Sequence, residues 1–70
     1  MSAAGFTRLS VNINEETANA LRSLTAEAGV TYTETVRRAI SVYRFLQDQR
    51  LAGSSVYVGR EDEIWKIHFL

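Results

Sequence analysis

Residues 8–13, Arg8-Leu9-Ser10-Val11-Asn12-Ile13, alternate polar and apolar side chains. That is the period of a strand with one wet face and one buried face. No second strand of matching length lies within hairpin reach, because the chain from there to residue 50 reads as two amphipathic helices. A lone strand leaves a row of backbone donors and acceptors unpaired, which folded proteins rarely tolerate. The simplest partner is the same strand from a second copy. The pattern therefore predicts an intermolecular two-stranded antiparallel ribbon backed by four helices.

The size of the chain points the same way. Seventy residues form one small domain, too short for a generous core without disulfides, metal or a partner subunit. Cysteine is absent, so disulfides and thiolate metal sites are excluded. His68, the single histidine, cannot build a metal site alone. No metal and no cofactor are expected. Oligomerisation remains, and a hydrophobic content of 46% suits a chain that hides surface in a partner. Nothing in residues 1–7 resembles a signal peptide, and no apolar run approaches the ~20 residues of a membrane helix. A cytoplasmic protein without membrane association is the expectation. An enzyme is not expected, since no carboxylate pair beside a histidine, cysteine nucleophile or phosphate-binding glycine loop is present.

Eight basic residues balance eight acidic ones. Residues 1–55 hold six basic against five acidic side chains, or +1, and residues 56–70 hold two against three, or −1. Binding to nucleic acid would have to rest on placed contacts and helix dipoles, not on a broad basic field.

Residues 1–7 read as a flexible arm. Asn14 fits a helix N-cap, with Glu15 and Glu16 at the positive end of the dipole. The first helix is expected over residues 15–28, with Ala18, Leu21, Leu24 and Ala28 as its apolar stripe. Gly29 follows where a left-handed cap wants glycine. Thr31-Tyr32-Thr33-Glu34 has the form of a capping box, in which Glu34 reaches back to the amide of Thr31. The second helix carries a wide stripe, Tyr32, Val36, Ala39, Ile40, Tyr43 and Leu46, flanked by Val42 and Phe45. Arg37 and Arg38 lie off that stripe as solvated or ion-paired residues. Residues 51–55 are a linker. Residues 56–70 alternate again around a polar turn at 59–63 and predict a β-hairpin extension, with Trp65, Ile67 and Phe69 on one face. Tyr57 could join that face or oppose it.

Strand, capped helix, glycine, capping box and second helix in this order resemble the ribbon-helix-helix family of the MetJ, Arc and CopG type. The resemblance covers residues 8–50 and rests on residues 8–13, Asn14-Glu15-Glu16-Thr17, Leu21, Leu24, Gly29, and the run from Thr31 through Glu34, Val36, Arg37, Ala39 and Ile40. It implies a mainly α homodimer with a short β-ribbon. Arg8, Ser10 and Asn12 would then touch base edges in the major groove of double-stranded DNA. Arg can grip guanine O6 and N7, and Asn adenine N6 and N7, each in a bidentate way. The backbone amides of Thr31, Tyr32 and Thr33 would hold a phosphate at a helix N-terminus. Leu9, Val11, Ile13, Leu21, Leu24, Val36, Ile40 and Tyr43 would fill the dimer core.

The implied function is that of a sequence-specific DNA-binding protein, a transcriptional repressor. The rival is a protein-binding adaptor or antitoxin that uses the aromatic hairpin, Trp65, Ile67 and Phe69, on a protein partner or on further copies of itself. Zero net charge favours the rival.

Overall fold

The computed structural model describes residues 5–68. Helix α1 (Glu15–Ala28) and helix α2 (Tyr32–Leu51) are followed by strands β1 (Val56–Arg60) and β2 (Glu63–Ile67). Each helix starts on a side-chain cap. Asn14 Oδ1 accepts from the amide of Thr17 at 2.8 Å, and Thr31 Oγ1 accepts from that of Glu34 at 3.1 Å. Both caps offer an acceptor to a backbone donor that has no partner inside the helix.

The two helices also end alike. At the first, Gly29 donates to Ala26 O and Val30 to Thr25 O, with Gly29 at φ 65°. At the second, Gly53 donates to Arg50 O and Ser54 to Gln49 O, with Gly53 at φ 88°. This is the paired closure that needs a left-handed residue after the last turn, and glycine takes that conformation without a Cβ penalty.

The expected ribbon-helix-helix fold is overturned. Residues 6–13 take neither helix nor strand and make no backbone hydrogen bond to another described residue, and the ribbon stands after the helices, not before them. It is built within one chain, β1 antiparallel to β2 with Val56 opposite Ile67, Val58 opposite Trp65 and Arg60 opposite Glu63. The reason is local. Two strand-forming runs joined by a short turn satisfy each other's ladder, whereas the run at 8–13 has no such neighbour in its own chain.

The hairpin turn is also tighter than expected. Strand pairing runs on to Arg60 and Glu63, so the connection is Glu61-Asp62, with Glu61 at φ 43°. The register places Val56, Val58, Trp65 and Ile67 on one face, and Tyr57, Lys66 and Ile64 on the other. Tyr57 thus opposes the Trp65 face. Phe69, assigned to that face from the sequence, lies outside the described residues.

No hydrophobic side chain among the described residues is buried, and Thr35 is the sole buried polar one, at 7% exposure. Of the expected core set, Leu21 is half-buried. Leu9, Val11, Ile13, Leu24, Val36, Ile40 and Tyr43 are exposed in the single chain. The radius of gyration is 15.4 Å, against about 11 Å for a compact domain of this length. The accessible surface is 6573 Å², roughly 2,200 Å² more than a folded monomer of this mass shows. A single copy is an open arrangement of two helices and a hairpin. Among the described residues, no helix is long and apolar enough to cross a membrane.

Candidate nucleic-acid interface

The first candidate group lies on residues 6–13. Arg8, Ser10 and Asn12 are exposed, and so are the alternating Leu9, Val11 and Ile13, with Leu9 76% and Val11 73% accessible. Arg8 takes part in none of the ion pairs among the described residues. Polar side chains able to read base edges therefore share a segment with apolar ones that lack a surface to cover. Their backbone groups are equally open.

The second group is the start of α2. The hydroxyl of Thr31 is occupied by the amide of Glu34, and the carbonyl of Thr31 accepts from Thr35 at 3.0 Å. The amides of Tyr32 and Thr33, the first two positions of the helix, have no acceptor within the described residues. The capping box is half formed. Glu34 does not return to the Thr31 amide; its carboxylate takes Arg37 Nε at 2.9 Å and Arg38 Nε at 2.9 Å.

That clamp decides the local electrostatics. A carboxylate in the first turn competes with any anion for the same amides, but two guanidinium groups on one carboxylate leave a net positive charge on this turn. The hydrogen bonds from Arg37 and then Arg38 lower the Glu34 pKa to about 2. The same contact raises that of Arg37. Glu34 is ionised at any physiological pH, and its charge is spent inside the helix. Arg37 and Arg38 are accordingly ion-paired side chains, as their position off the apolar stripe predicts.

Between the helices, Leu24, Ala28, Val30, Thr35, Ala39 and Val42, with Arg38 at its edge, line a mainly apolar groove of about 270 Å³. Val36, Ile40 and Tyr43, also on α2, are exposed as well. A helix pair that leaves such a face open has built half of an interior.

Comparison with protein-family models, with curated proteins and with solved structures finds no match to this chain. The functional reading rests on the residues themselves.

The hairpin contributes the third group. Trp65 is 45% accessible with the Arg60 guanidinium 5.8 Å from its ring centroid, a cation–π distance. Ile67 is half-buried on the same face, and Val56 opposite it is half-buried too. On the other face Ile64 is 73% exposed. Val56 and Ile67, at the base of the hairpin, are its half-buried positions, and the rest of both faces is exposed.

Proposed function

We propose that this chain is a sequence-specific DNA-binding protein that represses transcription, acting as a homodimer. The observation that carries the reading is segment 6–13, which has no strand partner among the described residues and on which Arg8, Ser10 and Asn12 are exposed side by side with apolar residues that want a cover. Those three side chains match the donor and acceptor patterns of base edges in the major groove. The free amides of Tyr32 and Thr33, together with Thr31, supply a positive helix end for a backbone phosphate. A second copy is supported by the surplus surface, which is of the size that obligate dimers bury. Cooperative assembly of dimers on DNA is a natural extension.

The test is a polarisation titration with random and genomic duplexes at low and moderate salt, followed by pull-down of bound genomic fragments. A DNA reader loses affinity steeply with salt and enriches a common site. Absence of binding at both salt concentrations would sink the reading.

One observation favours a second reading, that of a protein-binding adaptor or antitoxin. Trp65, Tyr57 and Ile64 are all exposed on the hairpin, and aromatic anchors of this kind are enriched at protein interfaces. Such a protein would show no salt-dependent DNA affinity and would lose its partner on replacement of Trp65.

A further inference from the structure

Strand β1 is an edge of a two-stranded sheet, so every second residue on it turns its N–H and C=O away from β2. Beyond the pairing with β2, the backbone of β1 makes no hydrogen bond to another backbone group among the described residues. Its sequence, Val56-Tyr57-Val58-Gly59-Arg60, holds neither lysine nor proline, whereas β2 carries Lys66. Lysine and proline are what blunt an open edge. The charge on β1, Arg60, lies over the Trp65 ring at the turn end. The edge of β1 is therefore free to accept a further strand.

We propose that residues 9–13 of a second copy add to this edge as a third, antiparallel strand, with Ile13 opposite Val56, Val11 opposite Val58 and Leu9 opposite Arg60. Five residues then meet the five of β1. The register sets Leu9, Val11 and Ile13 on the face of Val56, Val58, Trp65 and Ile67, which makes one apolar face from two incomplete ones. Val11 with Val58 and Ile13 with Val56 are β-branched cross-strand pairs of the kind that stabilise sheets. A slip by one residue would turn the same three side chains toward Tyr57 and Gly59, where half of the contact is lost.

Charge sets the direction. Among the described residues, neither Arg8 nor Glu61, Asp62 and Glu63 takes part in an ion pair. The antiparallel strand brings Arg8 opposite Glu61 at this acidic turn, and opposite charges across a pair are favourable. A parallel strand would carry Arg8 to the other end of β1, beside Ser55. The occupant is a second copy because segment 8–13 has no strand partner among the described residues of its own chain. The surplus surface of a single copy is also of the size that dimers bury. Reciprocal exchange covers both β1 edges and closes a two-fold dimer. The inference rests on the homodimer of the reading above and not on base contacts by Arg8, Ser10 and Asn12.

The chain lacks cysteine, so introduced thiols report pairing cleanly. Residues opposite each other on antiparallel strands lie about 4.5–5.5 Å apart at Cα, within disulfide reach. Full-length Val11→Cys and Val58→Cys proteins are mixed in equal amounts in a glutathione redox buffer, and the linked species are separated by mass. The mixed 11–58 disulfide is expected to outnumber either homodisulfide at least about tenfold, against roughly twofold for chance pairing. Val11→Cys with Tyr57→Cys, aimed at the opposite face, should stay near chance. Circular dichroism follows the fold of each variant; should Val58→Cys lose its hairpin, Ile13→Cys with Val56→Cys tests the same register. A dimer by sedimentation that links at chance level, or mainly 11 to 11, overturns the inference and leaves the homodimer standing. So does a Val11→Cys/Val58→Cys protein that closes within one chain at every concentration. A folded monomer by sedimentation removes the inference and the homodimer together.

Discussion

The hydroxyl of Thr25 lies 2.7 Å from the hydroxyl of Thr35, across the contact between the two helices at which Thr35 is buried. Thr35 Oγ1 also donates to the carbonyl of Thr31 at 3.1 Å. Its single proton is thereby used, so Thr25 is the donor to Thr35. The junction of α1 and α2 is held by a polar pair, with apolar side chains arranged around it and largely wet.

Replacing Thr35 with Val should destabilise the chain by about 1–2 kcal/mol, because Thr25 is left without its buried acceptor. Thr25→Val should cost less, about 0.5–1.5 kcal/mol. The double variant should cost less than the sum of the two, since no orphaned hydroxyl remains. Urea unfolding of all four proteins at one fixed concentration reads the coupling; strict additivity would mean that the pair is not formed.

The Glu34 clamp gives a pH dependence with a definite sign. Its folded pKa is depressed from 4.5 to about 2, so its contribution to stability is present above about pH 4.5 and is lost as the pH falls toward 2. Solvent screening makes the effect smaller in high salt. Helicity at the start of α2, followed by NMR or circular dichroism, should fall across this window. Glu34→Gln should flatten that part of the profile.

Association of two copies should make thermal stability depend on protein concentration, with the melting temperature rising on a logarithmic scale. Sedimentation equilibrium gives an independent measure. A folded monomer that persists at micromolar concentration, with the same melting temperature throughout, would remove the dimer from the proposal.

Base reading by Arg8 predicts a loss of ~1–3 kcal/mol on a cognate site for Arg8→Ala, and a much smaller loss on random duplex. Asn12→Ala should follow, with Ser10→Ala milder. Equal losses on both kinds of DNA would turn these residues into phosphate contacts.

Glu61 holds a left-handed backbone at φ 43° in a two-residue turn, a conformation that costs a side-chain-bearing residue roughly 1 kcal/mol. Glu61→Gly should relieve it and stabilise the hairpin by up to that amount, less the added freedom of the unfolded chain. The temperature dependence of the Tyr57 and Trp65 amide shifts checks it.

What could be read from the residue order was mostly what is encoded within a few positions. Asn14, Thr31 and Gly29 mark helix ends because capping is a local hydrogen-bond requirement, and the observed bounds follow them. The C-terminal hairpin was readable from alternation alone. Its turn was misplaced because Gly59 looks like a turn residue, whereas the turn falls on Glu61-Asp62, which carries no glycine signal. The alternation at 8–13 misled in a different way. Period two states that a segment could be half-buried in a sheet, but not that its own chain offers the second strand. Thr35 was hidden because a threonine on an apolar stripe looks like an interruption until its partner on the neighbouring helix is known.

If two copies associate as proposed, a chain that leaves Leu9, Val11, Ile40 and Phe45 in the open when single would have a cellular lifetime set by which encounter comes first. Exposed apolar surface and a backbone without partners among the described residues, as at 6–13, are what proteases and chaperones engage. Abundance should then respond to synthesis rate more steeply than in proportion, because slow production leaves lone copies to be cleared. A threshold in expression level would follow from the surface of the molecule, without any dedicated degradation signal.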